Sequence, residues 1–98
     1  MGKNEVIDVA RKYRELVVSD MGPANVYLYG SYSRGTAQEN SDIDVAVVVP
    51  KVKDVFMKAS SSLWALTWNV NTLIEPVLID ARYPSPLLQD ILYSRVAV

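Results

Sequence analysis

The run from Asp42 to Val49 most narrows what this chain can become. Ile43, Val45, Val47 and Val49 fall on one face of a strand, and Asp42, Asp44, Ala46 and Val48 on the other. Pro50 closes the run. A strand of this composition belongs inside a sheet, so its two aspartates are carried into the sheet with it.

Helical and strand spacings surround this run. Val6, Val9, Ala10, Tyr13, Leu16 and Val17 form one apolar stripe, which predicts a helix over residues 4–20, with Asn4 as its cap and Gly22-Pro23 as its end. Val26 to Tyr29 reads as a short strand. A helix-like turn through Ser33 and Arg34 to Gly35 follows, then a polar loop from Thr36 to Ser41. Val52, Val55, Phe56, Ala59, Leu63, Leu66 and Val70 predict a second long helix, although Ser60-Ser61-Ser62 forms helix poorly. Leu73 to Ile79 is a third strand, and Pro76 within it points to an edge position or a bulge. Ser85 to Val96 reads as a last helix, with Pro86 in its first turn. The expected fold class is α+β: one domain over residues 1–98, a small mixed sheet with helices mainly on one face. The other face is then left for chemistry or a partner.

Composition removes several chemistries. The chain has no cysteine and no histidine, so disulfides, thiolate metal sites, histidine bases and histidine triads are all excluded. The formal net charge of -1 is not the footprint of a dedicated nucleic-acid binder. No apolar run is long enough for a signal peptide or a membrane span, so the expected setting is the cytoplasm. Any catalysis must come from carboxylates, hydroxyls, amines, guanidinium groups or a bound metal.

Those groups gather in two places. Asp42 and Asp44 leave the same strand face about 6.6 Å apart along the chain. Carboxylates so placed can converge on one ion or bracket two, and their oxygens suit Mg²⁺ or Mn²⁺. Without a cation they would repel, and one of them would hold its proton more tightly. Gly30-Ser31 lies where a strand turns into a helix, where free N–H groups can receive a phosphate. Arg34 could hold a phosphate or pair with a carboxylate. Glu75, in an otherwise apolar strand, is the expected third carboxylate, with Asp80 as runner-up.

Gly30-Ser31, ten residues, then Asp42-Ile43-Asp44, with Arg34-Gly35 after the serine and Ser41 before the first aspartate, resembles the minimal nucleotidyltransferases of the DNA polymerase beta superfamily. The element order and length agree, so the resemblance spans nearly the whole chain. It implies two Mg²⁺ ions on Asp42 and Asp44, with Glu75 at the position of the family's third carboxylate, usually an aspartate. It implies ATP as substrate, its triphosphate held by Gly30, Ser31 and Arg34. An acceptor hydroxyl would attack the α-phosphorus, with Glu75 taking its proton and pyrophosphate leaving.

For the acceptor, the resemblance implies a protein. Family members this small often pair as antitoxins with a helical HEPN toxin, and some AMPylate a tyrosine on it. A small hydroxylated molecule is a second acceptor class, and toxin binding without catalysis is a third reading. Trp64 and Trp68, one helical turn apart, either fill the core or face a partner. An exposed sheet face or edge would favour homo- or hetero-oligomers.

Overall fold

The computed structural model describes the whole chain except Glu39, Pro84, Ser85 and the side chain of Ser94. Its elements are α1 (Lys3–Met21), β1 (Asn25–Tyr29), α2 (Ser31–Arg34), β2 (Ile43–Val49), α3 (Phe56–Thr67), β3 (Ile74–Asp80), α4 (Pro86–Ser94) and β4 (Val96–Ala97). The four strands make one sheet in the order β3-β2-β1-β4. β1 is antiparallel to β2 and to β4, whereas β2 and β3 are parallel and joined through α3. The sheet is therefore mixed, as expected.

Strand alternation divides the chain into two apolar layers. Ile43, Val45, Val47 and Val49 of β2 pack with Val6, Tyr13 and Val17 of α1 and with Ala59 and Leu63 of α3. The buried Tyr13 hydroxyl donates to the Leu63 carbonyl at 2.7 Å, tying the two helices together. On the opposite face Ala46 and Ile79 pack against Ile91 of α4, with Tyr27, Tyr29, Val48, Val77 and Leu88 around them. Helices thus lie mainly on one face, and α4 covers part of the other.

Several sequence expectations need correction. Asn4 is not the cap of α1: Gly2 holds that position, with no side-chain cap bond. The second long helix starts at Phe56, not at Val52, and Val55 and Phe56 of its presumed stripe are exposed. The three serines do not break it; the Ser61 and Ser62 hydroxyls donate back to the carbonyls of Met57 and Lys58. The last helix ends at Ser94, and Val96–Ala97 instead pairs with Tyr27 and Leu28 as an edge strand. Its expected start at Ser85 lies outside the described residues. Pro76 does mark an edge strand, in unbroken register with β2 and therefore without a bulge.

Candidate active site

The site begins at the turn out of β1. Gly30 is buried and has φ 74° and ψ -148°, a region that only glycine occupies without strain. A Cβ there would also run into the Asp44 carboxylate. Two independent constraints therefore demand glycine. Gly30 is also the N-cap of α2, and its carbonyl accepts from the Arg34 N–H at 3.2 Å and the Ser33 hydroxyl at 2.8 Å. Ser31 opens the helix and does not cap it, which leaves its half-buried hydroxyl free of that duty. Gly35, in the left-handed conformation, ends the turn and donates its N–H to the Ser31 carbonyl.

Sheet register then sets a row across three strands. Tyr29 pairs with Asp44, and Asp44 with Glu75. Neighbouring strands lie about 4.8 Å apart, so side chains of such a row are close neighbours. Asp42 precedes β2 and, by alternation, lies on the same face. Asp44 is half-buried, and burial raises its carboxyl above the ordinary carboxylate range; the charge of Asp42 adds to this and Arg34 opposes it. Glu75 is raised as well, first by desolvation, then by Asp42 and Asp44, and by a hydrogen bond with Asp42. Ionised carboxylates placed this close repel one another.

An all-oxygen donor set under mutual repulsion fits a hard divalent cation. Among the described residues no three acidic side chains already stand together as a metal-ligand group. A cation would have to draw Asp42, Asp44 and Glu75 inward. Arg34 is exposed, close enough to act on Asp44, and within 4 Å of no carboxylate among the described residues.

Asp80 is placed elsewhere. It lies six positions beyond the register partner of Ile43, opposite Val49 at the far end of β3. Its buried carboxylate accepts from the backbone N–H groups of Val52 and Arg82 and from the Arg82 guanidinium at 2.9 Å. These bonds hold it well below the usual carboxylate range, the Arg82 side chain contributing most. A depressed carboxyl stabilises the fold above its unfolded value, about pH 4, and loses that effect as pH falls toward its folded value. Asp80→Asn should therefore lower the thermal midpoint at pH 7, with a deficit that shrinks below about pH 4.

Asp42 and Glu75 of the row are exposed, and Asp44 between them is half-buried. A cavity of about 500 Å³ lined by Arg14, Val18, Pro23 and Val49 contains none of the acidic residues of the row. Another of about 490 Å³ is lined by Val52, Phe56, Asp80 and Arg82. Trp64 and Trp68 are 46% and 80% exposed, so they are not core residues. Trp64 stands on α3 and Trp68 at its C-cap, across the sheet from the carboxylates. Sequence reasoning missed Tyr29 as a member of the site. Its alternation with Tyr27 was visible, but only the β1–β2 register places it beside Asp44.

Comparison with known proteins shows the family. A family model described as "Nucleotidyltransferase domain" matches residues 10–94. The chain belongs to the nucleotidyltransferase domain family. It is 35% identical over 65 residues to the protein adenylyltransferase MntA of Shewanella oneidensis, a match covering 64% of this chain and 43% of that protein. The chain thus spans less than half the length of that relative. A toxin–antitoxin crystal structure with AMP-PNP superposes with a TM-score of 0.63 at 30% identity, covering 88% of this chain and 69% of the other. A nucleotidyltransferase-like structure from Sulfolobus solfataricus reaches a TM-score of 0.70 at 20% identity, over 97% of this chain and 80% of that one, and bears on the fold alone.

Proposed function

We propose that this domain transfers AMP from ATP to a hydroxyl of a partner protein, most specifically a tyrosine of a HEPN-type toxin. The observation that carries the reading is the placement of Asp42, Asp44 and Glu75 along one sheet face, with Asp44 against the Gly30-Ser31 turn. In this reading the first N–H groups of α2 and the Ser31 hydroxyl bind the triphosphate, and Arg34 supports it. Asp42, Asp44 and Glu75 would hold Mg²⁺, or Mn²⁺, which supplies charge neutralisation at the phosphates and acidifies the attacking hydroxyl. The acceptor oxygen forms its bond to the α-phosphorus as the bond to pyrophosphate breaks, and Glu75 receives the acceptor's proton. Glu75 is suited to this because it is exposed.

The exposure of Asp42 and Glu75 supports an acceptor brought by a macromolecule over one enclosed in a pocket of this domain. The relatives named above, an adenylyltransferase and a toxin–antitoxin complex, point the same way. Incubation with ATP, Mg²⁺ and the product of the neighbouring gene should add one AMP to a tyrosine of that product, read by mass spectrometry. Absence of that mass gain would overturn the assignment. The exposed Trp64 and Trp68 favour one competing reading, neutralisation of a toxin by contact alone. Under it, Asp44→Ala would still neutralise the partner in cells at normal abundance.

A further inference from the structure

Trp64 and Trp68 share one face of α3 with Met57 and Ser61, and all four are exposed, Met57 by 76%. The intervals are four, three and four residues, the alternation that lines up a seam between two packed helices. Trp68 keeps the helical conformation at the C-cap, so the seam runs unbroken past the end of α3. Ala59, Leu63 and Thr67 are the buried residues of the helix, and the seam is left outside.

Three observations say what the seam fits. It bears no charge: the one ionised residue of α3, Lys58, lies beside it and pairs with Asp54 at 3.6 Å. A charged partner surface would find nothing there to answer it. Its one hydroxyl, on Ser61, donates to the Met57 carbonyl at 2.8 Å, so covering the seam leaves that donor bonded. Its bulk is graded, with two indoles at one end and a flexible methionine and a serine at the other. A second copy laid antiparallel, about a two-fold axis between Ser61 and Trp64, sets Trp68 against Met57 and Trp64 against Ser61, large opposite small. Sulfur–aromatic contact favours the first of these pairs. A cavity of about 250 Å³ beside the tryptophans, lined by Ala65, Thr67 and Thr72, is open to the incoming methionine.

We propose that this chain forms a two-fold homodimer through the outer face of α3, antiparallel, with Met57 of each copy against Trp68 of the other. The seam and its flanks offer roughly 600 Å² per copy, or about 1,200 Å² in the pair, the lower end of specific interfaces. Association is therefore weak, with a dissociation constant on the order of 10 µM. The carboxylate row lies on the opposite sheet face, so pairing leaves the site of each copy uncovered.

The test is sedimentation velocity of the full chain from about 1 to 500 µM, with Met57→Lys and Trp68→Glu as variants. Both positions are exposed, so the fold should tolerate either change. The parent should pass from monomer to dimer across this range, and each variant alone should stay monomeric. An equimolar mixture of the two variants should recover the dimer, because opposite charges then meet at one end and the native pair remains at the other. A parent that stays monomeric throughout would overturn the proposal, as would dimers that survive in both single variants. Failure of the mixture to pair while the parent dimerises would overturn the antiparallel register, and the proposal with it.

Discussion

Asp44→Asn should reduce AMP transfer on the order of 10³-fold, while the metal-free protein melts no lower than its parent. Asp44 stands at the centre of the row, between Tyr29 and Glu75 and behind Gly30. Losing its charge would remove the ligand common to the phosphate turn and the carboxylates. The same charge is a burden to the empty fold. Burial and Asp42 raise the Asp44 carboxyl, so the folded chain binds that proton more tightly than the unfolded chain does. The ionised form therefore subtracts stability above its folded value, and this loss fades as pH falls toward the ordinary carboxylate range. Asparagine lifts it at every pH. AMP incorporation and thermal melting in chelator, measured on the same preparation, check both halves. A variant that lost transfer but also melted far below the parent would show that Asp44 is structural.

Gly30→Ala is expected to do damage of the opposite kind, to fold and site together. The backbone conformation alone costs a side chain roughly 1–3 kcal/mol. The new methyl must also displace the Asp44 carboxylate, which lies directly over the glycine. For a domain of this size the combined loss corresponds to a drop in thermal midpoint on the order of 10 °C, accompanied by loss of AMP transfer. Gly35→Ala separates the two contributions. Gly35 also has positive φ, but a Cβ there meets nothing within 4 Å. Its cost should be about 1 kcal/mol, and its effect on transfer far smaller. Equal losses of transfer in the two variants would remove the special place given to the Gly30–Asp44 contact.

What could be read from the chain and what could not divides along physical lines. The alternation in Asp42 to Val49 identified both faces of β2, since a buried strand writes its pattern into consecutive residues. Pro76 announced an edge because it lacks the donor an inner strand needs on both sides. Glu75 was conspicuous as a lone charge among apolar neighbours, and the parallel register sets it beside Asp44. Asp80 was separable from it only in three dimensions, through its bonds to Val52 and Arg82. β4 was illegible, because two residues carry no period and their pairing with β1 is a tertiary fact. The outward position of Trp64 and Trp68 was hidden for a related reason. Apolar residues occur nearly all round α3, and only its contact with the sheet selects Ala59, Leu63 and Thr67 as the inner stripe.

Pro76 has a consequence for how another polypeptide can reach the carboxylates. It sits in the outermost strand, one residue from Glu75, and brings no amide hydrogen to that border. A foreign segment trying to anneal onto β3 as a fifth strand would meet a gap in the hydrogen-bonding template beside the acidic residues. Strand exchange and edge-to-edge pairing at this margin are thereby discouraged. Under the proposed function, an acceptor tyrosine would come onto the row from above the sheet face, on a loop or helix tip, and not as an added strand.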